Sequence, residues 1–248
     1  MVILKSASDI EKMRKAGKVV GDTLKLLEDS VKIGMSTKEL NDIAEKYIRK
    51  CGAVPSFLGY GGFPASVCIS IDEEVVHGIP NKHKIIQDGM LISFDVGAIL
   101  DGFHGDAARS VLVGTEIAEK RKLIEVTTES FYQGVAKFKE GNRLGDISHA
   151  VQAYAESFGY GVVRDLVGHG IGRDMHEDPQ VPNFGIEGHG MRLKEGMALA
   201  IEPMINLGTF QVDFGDDGWT VTTRDKKASA HYENTTVLTA NGVEILTL

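Results

Sequence analysis

The chain of 248 residues matches itself when shifted by 107 positions, the separation of Lys32 from Lys139. The shift lays Lys32, Gly34, Tyr47 and Gly52 on Lys139, Gly141, Tyr154 and Gly159, with Glu39 on Asp146 and Leu40 on Ile147. Carried on, it sets DGMLISFD (88–95) over EGMALAIE (195–202), two apolar runs that each end on a carboxylate. After an insertion in the second half, Asp106 in GDAARSVLV corresponds to Glu233 in YENTTVLT. Self-similarity at a fixed period marks a repeated structural unit. Helix pairs and strands also recur in α+β proteins without duplication, but here the carboxylates recur with them. The expectation is an α+β fold, one domain over residues 1–248, with pseudo-twofold halves at roughly 8–114 and 115–248.

Within each half the apolar spacing predicts two helices. Ser8 and Asp9 open a segment with Ile10, Met13, Val20, Leu24, Leu27 and Val31 on one helical face. Ser36 and Glu39 form a capping-box pattern ahead of Leu40, Ile43, Tyr47 and Ile48, and Gly52 follows the end. The second pair is expected around residues 117–138 and 144–158, separated by Gly141.

The carboxylates carry the chemistry. Asp95 ends the apolar run 90–94, where an ionised group without a partner is costly. Asp101-Gly102 is a strong two-residue hairpin signal that sets Gly97 opposite Asp106. Asp95 and Asp106 then share one face as diagonal neighbours, about 7–8 Å apart at Cα, and one cation could bridge them. Either Asp alone is also compatible with a turn or edge position. Glu202 stands in ALAIEPMI and Glu233 in a Thr/Val-rich strand. Four carboxylates facing one interior repel one another unless cations neutralise them.

Composition narrows the classes. The 27 Lys and Arg against 35 Asp and Glu leave a net charge of −8, with no basic stripe to displace phosphate counterions. Direct nucleic-acid binding is not expected. Nor is membrane binding: the first dozen residues hold no apolar stretch of the length of a signal-peptide h-region, and no window approaches the ~18 apolar residues of a span. Cys51 and Cys68 are too few for a disulfide framework. A cytoplasmic protein with buried or pocket-lining thiols is the expectation.

Histidines complete the set. His169 in VGHGIGR is flanked by glycines that let the backbone come close to a ligand. One nitrogen among oxygens suits Mn, Fe, Co or Zn better than calcium. His77 in VVHGIP and His176 in DMHEDP are candidates for hydrogen-bonding a reacting group, or else ordinary surface residues. His231 alternates onto the same strand face as Glu233.

Six segments together resemble the bacterial type I methionine aminopeptidase family across nearly the whole chain: LGYGGFPASVCISIDEEVVHGIP, ISFDVGAILDGFHGDAARS, VGHGIGRDMHEDPQVPN, ALAIEPMI, DDGWTVTTRD and SAHYENTTVLT. The resemblance implies the pita-bread fold, duplicated helix-helix-strand halves around a curved antiparallel sheet. It implies Asp95, Asp106, His169, Glu202 and Glu233 as ligands of two divalent ions (Co, Mn, Fe, Zn or Ni). Glu202 is then also a proton shuttle, His176 a donor to the scissile carbonyl oxygen and His77 a partner of the amide nitrogen or of the tetrahedral intermediate. The substrate is the N-terminal Met of nascent proteins and peptides with a small second residue, its α-amine on metal. Tyr60, Phe63, Cys68, Met175 and Trp219 line the Met pocket, although any of them could equally be core.

The chain departs from the family pattern at Phe57, where Cys is usual, at Gly61 for His, at Phe63 for Tyr and at Met175 for an aromatic. These changes bear on pocket shape and on the strictness of Met selection. A monomer in transient contact with the ribosome completes the expectation. The rival readings are an X-Pro aminopeptidase or prolidase, and a non-catalytic binding protein of the same fold.

Overall fold

The structure, a computed structural model, describes residues 1–248. Helices α1 (Ala7–Ser30) and α2 (Thr37–Lys50) precede the long strands Met90–Leu100 and Phe103–Val113. Helices α3 (Ala118–Val135) and α4 (Leu144–Glu156) precede the strands Ala198–Ile201 and Glu233–Thr239. No helix is long and apolar enough to cross a membrane.

α1 begins earlier than Ser8 suggested. Ser6 is its cap: the Ser6 hydroxyl accepts from Asp9 N–H, and the Asp9 carboxylate accepts from Ser6 N–H. Asp9 is thus the third helical residue of a capping box, not its opening. α2 starts on the expected Ser36–Glu39 box. α3 and α4 end at Val135 and Glu156, short of residues 138 and 158, where their apolar pattern runs on into the following turns.

Nine strands form one antiparallel sheet. Its longest hairpin pairs Met90–Leu100 with Phe103–Val113 and sets Gly97 opposite Asp106. Asp101 (φ 52°) and Gly102 (φ 77°) make the turn with two positive φ angles, as a tight hairpin requires. Onward from Phe103–Val113 the order is Glu233–Thr239, Ala198–Ile201, Gly168–Gly170 and Glu177–Val181. Val54–Pro55 and Cys68–Ile71 pair with Met90–Leu100 on its other side, and Gly242–Ile245 pairs with Glu233–Thr239.

Period-two alternation separates the two faces of this sheet. Ile92, Phe94, Val96 and Ala98 pack with Val20, Leu24 and Leu27 of α1 and with Leu40, Ala44 and Ile48 of α2. In the second half Leu199 and Ile201 pack with Phe131 and Val135 of α3 and Ile147 of α4. Each fully buried Leu, Ile or Phe contributes about 1.5–3 kcal/mol. Gly105 permits the close seat of α1, since a Cβ there would come within 3.0 Å of Gly17 Cα. With the helices holding one face, Asp95 and its row neighbours are turned to the other.

Candidate metal centre

Strand register builds the site. Cys68, Asp95, Ala108 and Glu233 lie in one row across four strands. The neighbouring row holds Gly97 and Asp106 at one end and Ala200 and His169 at the other. Thr235, paired with Ala200, links the two ends: its hydroxyl accepts from Asp106 N–H and donates to Asp106 C=O, each at 2.9 Å. Glu202 follows Ala200 by two residues, just past the strand end, where Pro203 supplies no N–H to continue a ladder. Four carboxylates and one imidazole from five chain segments therefore converge on one face.

His169 Nδ1 lies 2.8 Å from the Gly170 carbonyl oxygen, which can only accept, so the ring proton sits on Nδ1. Nε2 then presents a lone pair, 3.8 Å from Asp106 Oδ2 and 3.7 Å from Glu202 Oε1. A second imidazole, His231, places its Nε2 3.8 Å from Glu233 Oε2 and 3.9 Å from Glu202 Oε2. Sequence alternation put His231 on this face but gave no measure of its closeness.

Burial dominates the electrostatics. It pushes Asp95 up to about 7 and Asp106, Glu202 and Glu233 well above the usual carboxylate range, with neighbouring carboxylates adding to the rise in the last three. It pulls His169 and His231 down to about 3, so both are neutral at pH 7. Arg109 lies behind Glu233, but its guanidinium donates to the carbonyls of Ala108 and Glu233 and to Asn234 Oδ1 rather than to the carboxylates.

Buried Asp95 Oδ1, Asp106 Oδ1, Glu233 Oε1 and His231 Nε2 have no hydrogen-bond partner. Each such orphan costs about 1–3 kcal/mol. Asp95, His231 and Glu233 offer donor atoms within 4.8 Å of one another, and so do Asp106, His169 and Glu233. Carboxyl oxygens without hydrogen-bond partners, beside neutral imidazoles, are a donor set that a divalent transition ion fits, its binding displacing the protons that burial retains on the carboxyls.

The same cavity is walled by the other expected residues. His77 and His176 stand beside the carboxylates, and Tyr60, Phe63, Cys68, Met175 and Trp219 form the apolar side. Phe57 also lines it, beyond the residues assigned to the Met pocket; only its departure from the family pattern hinted at this. Phe63 meets Trp219 edge-on at 5.1 Å, so Trp219 belongs to the wall despite its polar DDGW surroundings. His77 adopts φ 59°, an uncommon conformation for a residue with a Cβ and one concentrated at functional sites. Burial lowers the pKa of His77 and of His176. Tyr60 Oη lies 2.7 Å from His176 Nδ1, and the His176 ring lies 4.2 Å from that of His169.

Comparison with known proteins agrees with this geometry. Residues 11–240 match the profile of metallopeptidase family M24, which implies use of a divalent metal. The chain is 57% identical over 248 residues to methionine aminopeptidase of Clostridium acetobutylicum, covering 100% of this chain and 99% of that relative. It is 50% identical over 247 residues to methionine aminopeptidase 1 of Bacillus subtilis, covering 100% and 99%. The crystal structure of methionine aminopeptidase from Rickettsia prowazekii matches with a TM-score of 0.98 at 44% identity, over 100% of both chains. The prolidase from Pyrococcus furiosus has a TM-score of 0.77 at 22% identity, over 99% of this chain and 65% of that one, a likeness of fold alone. The architecture is the pita-bread fold, and the chain belongs to metallopeptidase family M24, among its methionine aminopeptidases.

Proposed function

We propose that the protein hydrolyses the first peptide bond of chains that begin with Met and carry a small second residue. The observation that carries this reading is the junction, in one cavity, of the carboxylate–imidazole floor with the apolar wall of Tyr60, Phe63, Cys68, Met175 and Trp219. Polarizable and aromatic groups suit a thioether side chain. Asp95, Asp106, His169, Glu202 and Glu233 hold two divalent ions, drawn from Co, Mn, Fe, Zn or Ni. Bound there, such ions neutralise the carboxylates, polarise a carbonyl oxygen and lower the pKa of water.

The chain's own groups do the rest. Glu202 takes the proton of the attacking water and passes it to the departing nitrogen. Tyr60 Oη lies within hydrogen-bond distance of His176 Nδ1. In the tautomer that the donor role of His176 requires, Tyr60 donates to Nδ1 and the ring proton on Nε2 is left to donate to the scissile carbonyl oxygen as charge grows there. His77, which lines the cavity, serves the amide nitrogen. The second residue of the substrate lies against the wall of histidines and carboxylates, which leaves space for a small side chain. We further propose a monomer that acts in the cytoplasm on nascent chains, in transient contact with the ribosome.

The test is a kcat/KM series on metal-loaded protein. Met-Gly, Met-Ala and Met-Ser peptides turn over at least about 10²-fold faster than Met-Lys, Met-Phe or Leu-initiated peptides, a ratio within what one pocket can discriminate. Equal rates along the series contradict the reading. Preferential cleavage of X-Pro bonds supports the prolidase alternative, and no cleavage at all a binding protein.

A further inference from the structure

We propose that His231 is a sixth ligand of this centre, the nitrogen donor of the metal position formed by Asp95 and Glu233; this rests on the metallopeptidase reading above. His231 ends the short strand Ser229–His231, two residues before Glu233. Its residue is 2% exposed, and Nε2 faces the carboxylates without a hydrogen-bond partner. The distances of 3.8 Å to Glu233 Oε2 and 3.9 Å to Glu202 Oε2 are too long for hydrogen bonds. They fit two donors on one ion, because bonds of about 2.1 Å each allow donor atoms up to about 4.2 Å apart.

The arrangement duplicates that of His169, whose Nε2 stands 3.8 Å from Asp106 Oδ2 and 3.7 Å from Glu202 Oε1. Glu202 lies between the two imidazoles, Oε1 toward His169 and Oε2 toward His231. Glu233 belongs to both donor groups, Asp95–His231–Glu233 and Asp106–His169–Glu233. Each group therefore has its own imidazole. Without His231 the Asp95 position has oxygen donors alone, a set that suits Mg or Mn; with it, the position favours Fe, Co, Ni or Zn. The new bond is a donation of the Nε2 lone pair to the ion, with no change of oxidation state.

Proton NMR of the full chain loaded with Co(II) counts the imidazole ligands directly. An imidazole bound through Nε2 gives one strongly shifted, exchangeable Nδ1–H resonance. The wild-type protein with two bound Co(II) ions shows two such resonances, and His231→Gln shows one. Calorimetric titration with Co(II) gives two binding events in wild type, one of which is weaker in His231→Gln by more than the roughly 10–100-fold that loss of an outer partner of a ligand costs. A single shifted resonance in wild type, with two ions bound, overturns the assignment of His231 and leaves the metallopeptidase reading intact. Identical titrations for wild type and His231→Gln also overturn it. Failure of the wild-type protein to bind Co(II) overturns both. Because the resonance count is made on wild-type protein, a variant that misfolds does not shelter the proposal.

Discussion

Tyr60 Oη lies 2.7 Å from His176 Nδ1, a hydrogen bond between residues 116 positions apart. The turn that carries Tyr60 is built from Gly59, Gly61 and Gly62, all at positive φ, and it leaves Tyr60 partly exposed at the cavity rim. With Nδ1 engaged, Nε2 is the ring nitrogen left for the substrate. Tyr60→Phe is expected to lower kcat/KM about 2–10-fold, the worth of one ordinary hydrogen bond. His176→Ala is expected to lower it about 10²–10³-fold. If Tyr60 acts through His176, the double variant behaves as His176→Ala alone. Independent, multiplying losses in a steady-state cycle contradict that link.

The three cavity histidines fail in different ways. His169 Nε2 faces two carboxylates, so His169→Ala loses bound metal and activity together. His77 and His176 line the cavity and have the proposed role of contacting substrate, so His77→Ala and His176→Ala are expected to keep metal content near wild type while kcat falls about 10²–10³-fold. Elemental analysis beside kinetics distinguishes the cases; loss of metal in His176→Ala contradicts its placement.

Gly61 sits at φ 56°, and a Cβ there would lie 3.2 Å from the Trp219 ring. Gly61→Ala therefore strains the turn by about 1 kcal/mol and presses on the pocket wall. The expected outcome is a higher KM for Met peptides with metal binding unchanged. Tm and KM check it, and an unaltered KM would show that Trp219 yields freely.

Metal-free protein has a characteristic pH response. Asp95 titrates at about 7 in the folded chain, with Asp106, Glu202 and Glu233 also raised, chiefly by burial. Unfolded, all four return to about 4. The folded state then binds more protons above that value, so stability falls as pH rises through 7 and beyond. His169 and His231, lowered to about 3, oppose this only below about pH 6.5, where unfolded imidazoles still carry protons. Tm in chelator is expected to fall between about pH 6.5 and 8, and saturating Co(II) or Mn(II) to remove the fall. Parallel curves with and without metal would mean that the carboxylates do not share an ion.

Much of this site was legible because it rests on short-range rules. The Asp101-Gly102 turn set Gly97 against Asp106, and alternation then put Asp95 on the same face. The repeat predicted that Glu202 and Glu233 would meet them, though only strand order shows that Glu233 shares a row with Asp95. Other features depend on contacts between distant segments. No local pattern announces that Tyr60 reaches His176, or that Phe57, in a loop without periodicity, completes the wall. His231 was visible as a residue in phase with Glu233, but its approach to Glu202 depends on how the strand Ser229–His231 meets Met204–Asn206. The start of α1 was misplaced because Asp9 reads equally well as an N-cap or as the far partner of Ser6.

Methionine release from a Met-Ala-Ser peptide, followed in one preparation before dialysis, after dialysis against a strong chelator, and after Co(II) or Mn(II) is restored, tests the central claim most directly. The account predicts release, loss of release and recovery, with bound metal rising and falling alongside. Undiminished release from protein shown by elemental analysis to be metal-free would contradict it.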